Sequence, residues 1–496
     1  MAHLKQDLFQ LIKSLDRNEK GYVKKFTLLH SSGSAIGGSA NSTNYIRLFD
    51  AIDAMEEYNE PELKKKFKGE KFSTQLHVTK NYLYNFILKS LRTYSVRSTD
   101  SLKILADMQD AEFLIGKGHY EKALECIRSA RVYASGREFW GYVLELIEME
   151  RLIYNIHPLD DVLKRISQID SERDKALTVL NTEQKYFKIA FVSRSWFIKN
   201  GLQRPAAAFN RFKKFLFEHL FPARDSVTSV NIQSLRSLYL ITYFNVTDQL
   251  ERSYREALNA LDFLKKHSFA VRKNPRNLFN KAFNLGVAML RMKKYEDLHR
   301  LLLEIPDYEK TYGLKLNPKL HGNIVERTAI QKIAYYINTL QFKKGSEELI
   351  PLLHTVESIK KEIPEHALNT IYFFTGNFYV LAGHPKMAIK WLNKVLIFNS
   401  SSVSGEEKRF SKYLLLIAHY ELGNLEQMKS IIELFDRTDT MEPLDLLKER
   451  LPLLTSKKTE QAFWIEFKSR LLKSRNLKTI LKYFDIMYWV DKKIRA

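Results

Sequence analysis

The chain has 496 residues, and 45% of them are hydrophobic, including 31 Phe and 25 Tyr, which is ample material for a core and excludes wholesale disorder. Only 12 Pro and 18 Gly punctuate it, a scarcity that favours long helices over a β-sandwich. Lys and Arg total 79 against 57 Asp and Glu, and the resulting +22 charge is suited to polyanions such as nucleic acid, acidic proteins or anionic lipid surfaces, although a Lys-rich proteome leaves the same surplus as background.

The N-terminal stretch mixes charges with apolar residues and has no continuous apolar run, so it does not read as a secretory signal. No segment reaches the roughly 18 apolar residues of a membrane span. The single cysteine, Cys126, has no internal disulfide partner, which points to a reducing compartment; the expected location is cytoplasmic.

Taken in chain order, residues 1–98 read as an N-terminal helical module. Leu4, Leu8, Ile12 and Leu15 recur at helical spacing, and Asp16 with Glu19 offers a capping box for a second helix through Tyr22 and Phe26. A Gly/Ser-rich loop is expected from Ser31 to Thr43. Tyr45, Leu48, Phe49, Ile52 and Met55 form the next apolar stripe, and Pro61 suits the first turn of a short helix. A long helix is predicted from Thr74 to Tyr94, burying Leu76, Leu83, Ile87 and Leu91.

From 99 to 496 the pattern changes to helix pairs, clearest near 105–135, 279–305, 369–398 and 409–436. In the first, Gly118, Tyr120, Ala123, Ile127 and Ala130 place a glycine at a turn, an aromatic two residues on, and small residues along the following helix, with Ala111 on the helix before. Gly376, Tyr379, Gly383, Ala388 and Leu392 repeat the pattern. Leu285, Gly286, Tyr295 and Leu302 do so with Leu298 at a small position, and Gly423 and Ile432 with Leu425 and Met428. Tyr254 and Ala257 are a weaker fifth echo. Small residues let helices approach closely while the aromatic fills the turn.

This pattern resembles the tetratricopeptide repeat, in irregular copies over about two-thirds of the chain. The 40 residues from Gly383 to Gly423 exceed the regular period of about 34, which the SSSVSGEE insertion explains. The resemblance implies an all-α fold: a right-handed solenoid of antiparallel helix pairs after the N-terminal module. It also implies an inner groove lined by the first helix of each pair. That groove would be built from Phe283, Asn284, Val287 and Arg291, from Phe373, Phe374, Asn377 and Leu381, and from Met108, Gln109, Glu112 and Ile115. Some members grip a peptide carboxylate with Lys, Arg and Asn; here only Asn284 and Asn377 match. The groove therefore reads as apolar and suited to a peptide or amphipathic helix, or else these aromatics simply pack against neighbouring helices. Some bacterial regulators set a helix-turn-helix before such repeats, but the helices near 62–67 and 74–94 are too short and too long for a reader helix.

No motif asks for catalysis. The 13 histidines are scattered singly, with no metal-ligand spacing, and neither a Walker loop nor a GxSxG elbow is present. The run Gly116-Lys117-Gly118 has Glu121 where a third glycine belongs, and Cys126 beside Ile127 reads as a structural thiol. Neither a cofactor nor a small-molecule substrate is expected. The expected function is a non-enzymatic scaffold for a protein partner. The alternative is nucleic-acid binding, using the N-terminal module or two basic tracts: Lys188, Arg194, Lys199, Lys213 and Lys214, and Lys468, Arg470, Lys473, Arg475 and Lys478. In the first tract the interleaved aromatics Tyr186, Phe187, Phe191, Trp196, Phe197, Phe209, Phe212 and Phe215 recur at helical spacing and are expected to be core.

Overall fold

In the computed structural model every regular element among the described residues is helical, as the scarcity of helix breakers predicts. The structure describes residues 3–30, 40–96, 98–157, 162–200, 206–218, 229–397, 405–436, 439–454 and 457–495. Contacts divide the chain into two units, Met1–Leu180 and Asn181–Ala496.

The first unit opens with α1 (His3–Ser14), α2 (Arg17–His30), α3 (Ala40–Ala54), α4 (Glu60–Lys66), α5 (Lys71–Thr74) and α6 (Leu76–Tyr94). The capping box forms as predicted: Glu19 N–H donates to Asp16 Oδ1 at 2.8 Å and Asp16 N–H to Glu19 Oε2 at 2.9 Å. Asn59 caps α4 through Glu62 N–H, with Pro61 in the first turn. Leu8, Ile12, Leu48, Phe49, Ile52, Leu83 and Ile87 close a core that these helices share. The expected loop is shorter than Ser31–Thr43, because residues from Ala40 onward belong to α3; residues 31–39 lie outside the described set. The unit continues through α7 (Asp100–Gly116), α8 (Tyr120–Gly136) and α9 (Trp140–Ile156) into α10 (Val162–Asn200), and the division between units falls inside α10.

The second unit holds α11 (Ala206–Glu218), α12 (Val230–Val246), α13 (Leu250–Lys265), α14 (Ser268–Lys273), α15 (Pro275–Arg291), α16 (Tyr295–Glu304) and α17 (Tyr308–Tyr312). It continues with α18 (Pro318–Asn338), α19 (Phe342–Ser358), α20 (Glu365–Ala382), α21 (Pro385–Ile397), α22 (Gly405–Glu421) and α23 (Leu425–Glu433). It closes with α24 (Asp445–Arg450), α25 (Lys457–Lys473), α26 (Leu477–Tyr483) and α27 (Ile486–Arg495). One continuous apolar cluster runs from Val230 to Val490. Of the expected SSSVSGEE insertion, Gly405, Glu406 and Glu407 form the first turn of α22, and residues 400–404 lie outside the described set.

Seven helix pairs share one turn. Gly118, Glu138, Asp248, Lys293, Leu340, Gly383 and Gly423 each stand between paired helices with φ between 56° and 80°. The following residue donates its N–H back five positions: His119 to Leu114, Phe139 to Ala134, Gln249 to Phe244, Lys294 to Met289, Gln341 to Tyr336, His384 to Tyr379 and Asn424 to His419. That is the Schellman closure of a helix C-terminus. The same residue's carbonyl accepts the first bond of the next helix, from Ala123, Val143, Ser253, Leu298, Gly345, Ala388 and Met428, and each of these donors is buried. One residue thus ends a helix and begins its partner.

The turn fixes where each second helix begins, which differs from the expected pattern at one pair. The pair α12–α13 places Leu250 and Ser253 where the pattern calls for an aromatic and a small residue, four positions before Tyr254 and Ala257. The intervals from Asp248 to Lys293, Leu340, Gly383 and Gly423 are 45, 47, 43 and 40 residues, so the excess over about 34 is general and not the work of one insertion. Close helix approach is real at Gly376, where a Cβ would stand 2.5 Å from Leu392 Cγ.

A left-handed residue with a side chain costs about 1–2 kcal/mol that glycine avoids. Leu340→Gly should therefore raise the stability of the second unit by about 1 kcal/mol, and Gly423→Ala, which meets no atom within 4 Å, should lower it by a similar amount. Urea unfolding midpoints followed by circular dichroism measure both.

Candidate functional site

The residues expected to line an apolar groove are mostly buried. Phe283 and Phe373 have no exposed surface, Leu381 is 1% exposed and Asn377 3%. The segment around Tyr483 packs on two of the expected groove residues, Phe373 and Asn377. Asn377 Nδ2 donates to the Tyr483 carbonyl at 2.6 Å, across 106 residues. The Tyr483 ring stacks on Phe410 at 4.6 Å and meets Phe373 edge-on at 6.1 Å. Tyr488 packs on Phe342 at 5.6 Å, and Trp489 Nε1 donates to Glu421. Phe373, Asn377 and Leu381 are therefore core residues of the second unit. Phe374 is half-buried and Val287 exposed; in the first unit Met108 and Ile115 are half-buried and Gln109 and Glu112 exposed.

A polar strip runs across the helices α15, α18, α20 and α22, which pack in series. Arg327 on α18 reaches back to α15, where Nη1 donates to Asn280 Oδ1 at 2.8 Å and Nη2 to Asn284 Oδ1 at 3.2 Å. Its guanidinium lies 4.8 Å above the Phe283 ring. Among the described residues no carboxylate bonds it, and burial pulls its pKa down to about 10, opposed by the charge of Glu326. Glu326 accepts from Asn323 at 3.2 Å, and burial holds its carboxyl above the usual range against Asn323, Arg327 and His366. On α22, Glu407 accepts from Asn369 Nδ2 at 2.6 Å and Thr370 Oγ1 at 2.9 Å, and burial raises it too. His366, exposed on α20, acts electrostatically on both acids.

The strip continues inward. Gln331 Nε2 donates to the Phe283 carbonyl at 2.8 Å, which requires Gly286: a Cβ there would lie 2.1 Å from Gln331 Oε1. Lys281, 2% exposed, donates to the Ser234 carbonyl at 2.5 Å, and Asn277 binds the Ser234 hydroxyl at 2.7 Å. Burial draws the Lys281 ammonium down to about 7, against the charge of Glu256. Arg291, exposed at the end of α15, instead bonds Asn245 at 2.5 Å and Asp248 at 3.2 Å. Sequence reasoning picked out Asn284 but missed Asn280, Lys281 and Arg327, whose roles depend on pairings 43–47 residues apart.

The basic tracts divide. Lys188, Lys213 and Lys214 are exposed, and the side chains of Arg194 and Lys199 lie outside the described residues. Tyr186 and Phe212 are buried as expected, and Trp196 stacks on Phe212 at 4.4 Å. Phe187 and Phe191, however, are 59% and 63% exposed, because α10 turns that face away from its neighbours. Phe197 lies outside the set, and Phe209 and Phe215 are half-buried. In the second tract Lys468 pairs with Asp491 at 2.6 Å and Arg470 with Glu466 at 2.7 Å, whereas Lys473, Arg475 and Lys478 are exposed.

Cys126 donates to the Asp107 carbonyl at 3.2 Å, and burial, with Asp107 and Asp110, pushes its thiol upward, away from a reactive thiolate. Among the described residues no group of three His, Cys, Asp or Glu could hold a metal, and no helix is long and apolar enough to cross a membrane. Comparison with protein-family models, curated proteins and solved structures finds no match for this chain.

Lys281 has a measurable signature. Between about pH 7 and its ordinary 10.5, the unfolded chain binds a proton that the folded chain does not, so this residue makes stability rise with pH across that window. Lys281→Met should stabilise the second unit most near pH 7, with the advantage over the parent shrinking toward pH 10. Urea midpoints at four pH values across the window test this.

Proposed function

We propose that the chain is a non-enzymatic interaction protein. Its second unit would be a right-handed, tetratricopeptide-like solenoid of helix pairs that receives an extended segment of a protein partner along the polar strip. The observation that carries this reading is Arg327, a largely buried cation whose bonded partners are two neutral amide oxygens. A carboxylate on the partner would add the bonded counter-charge that Glu326 supplies only without a hydrogen bond, through a bidentate, charge-assisted contact. Asn280, Asn284, Asn323 and Thr370 stand along the same strip, and amide and hydroxyl side chains of this kind both donate to and accept from a peptide backbone. With the apolar positions covered from within, an acidic extended peptide fits better than an amphipathic helix.

Binding to nucleic acid is a second reading, favoured by the exposed Lys188 beside Phe187 and Phe191. Salt separates the two, because polyanion affinity falls steeply and linearly on a log–log scale with added salt.

Peptide selection from a displayed random library on the full chain tests the first reading. Selected peptides should carry a carboxylate, and Arg327→Met should weaken them about tenfold or more, roughly the 1.4 kcal/mol or more expected of a charge-assisted pair, with the circular dichroism spectrum unchanged. Selected peptides that bind Arg327→Met as well as the parent would sink the strip as the binding surface.

A further inference from the structure

The second unit holds a cleft of about 310 Å³ lined from α10, α11 and α12 and by the start of α13. Aromatic rings form much of its wall: Tyr186, Tyr239, Tyr243 and Phe244, with Phe217 also lining it and 64% exposed. Two exposed guanidiniums, Arg236 and Arg252, complete the charged part of the lining.

These groups are held in place. The Tyr239 hydroxyl donates to the Leu216 carbonyl, which fixes the ring, and burial raises its phenol so that it stays neutral. Arg252 Nη1 donates to Gln249 Oε1 at 2.8 Å, and Gln249 Nε2 to Thr247 Oγ1 at 2.9 Å, so Arg252 is steadied by a neutral relay. The neighbouring acid, Glu251, is taken by Arg255 at 3.0 Å. Among the described residues neither Arg236 nor Arg252 forms an ion pair.

We propose that this cleft binds a nucleotide unit, a base carrying a phosphate. Aromatic residues contributed by α10, α11 and α12 suit a flat heterocycle whatever its hydrogen-bond pattern, because every base has a π-face. Planar guanidinium forks without acidic partners match phosphate oxygens. The volume sits at the small end of ligand pockets, the size of one nucleotide and not of a folded partner. The cleft shares no residue with the polar strip and takes Tyr186 but none of the cations from the first basic tract, so a free mononucleotide there stands apart from both readings above and a single strand deepens the nucleic-acid one. Its occupant has two sources: a free mononucleotide, or one nucleotide of a single strand.

The test uses the full chain. AMP, GMP, CMP and UMP are titrated by calorimetry, and a fluorescein-labelled oligo(dT) dodecamer by anisotropy, each against the parent, Arg252→Gln, Tyr243→Ala and Lys213→Gln. At least one probe should bind the parent, weaken about tenfold in Arg252→Gln and Tyr243→Ala, and change less than about twofold in Lys213→Gln. Binding of a mononucleotide identifies the free ligand as a source, and binding of the dodecamer alone identifies the strand. Both variants alter half-exposed or exposed residues, and unchanged circular dichroism shows that they fold. The proposal is overturned if no probe binds the parent, if Lys213→Gln weakens binding as much as Arg252→Gln, or if phenyl phosphate displaces the probe as well as the nucleotide does.

Discussion

The left-handed turn between paired helices is the constraint on which the architecture rests. A helix end leaves carbonyls without partners, and here one backbone closure satisfies them while the same residue starts the next helix. The connection leaves almost no slack, so the second helix must double back on the first. The buried residue four positions into that helix, Ala123, Gly345 or Ala388 among others, falls each time next to the preceding turn. With every pair closed alike, the first helices α15, α18, α20 and α22 can pack in series, and residues 43–47 apart come to share a strip.

That geometry explains what could be read from the sequence and what could not. The pairs at Gly118 and Gly383 were legible because glycine announces a left-handed position. The pair at Leu340 was not, although Phe342 and Gly345 carry the aromatic and the small residue in register, because leucine at the turn hides the signal. Glu138 with Trp140 was hidden in the same way. The repeat resemblance implied that Phe283, Phe373 and Leu381 lie on first helices, but it could not say whether solvent, a partner or the chain itself covers them. For Phe373 that answer lies in Tyr483, which no local pattern links to Asn377, and for Phe283 in Arg327.

Charge is distributed unevenly with respect to burial. Most of the cationic surplus sits on exposed helix faces, where isolated pairs contribute little. Lys281 and Arg327 instead lie within the strip, bonded to neutral oxygens, and their desolvation works against folding. Apolar side chains in their places would favour the folded state. In the first unit the opposite arrangement holds: Glu150, 1% exposed, receives Arg128, Arg131 and Tyr154 together. Buried charge there is neutralised by direct bonds within the unit, whereas along the strip Arg327 feels the charge of Glu326 but bonds only neutral oxygens among the described residues.

The closure of Asn377 on Tyr483 also sets a timetable for synthesis. At roughly 5–20 residues per second, α20 emerges about 5–20 s before the segment that covers it. During that interval Phe373 and Phe410 lack the ring that later lies against them, while every left-handed turn upstream can already be closed. The nascent second unit thus holds finished hairpins beside an open apolar face, the kind of surface that holdase chaperones bind and that neighbouring nascent chains can aggregate on.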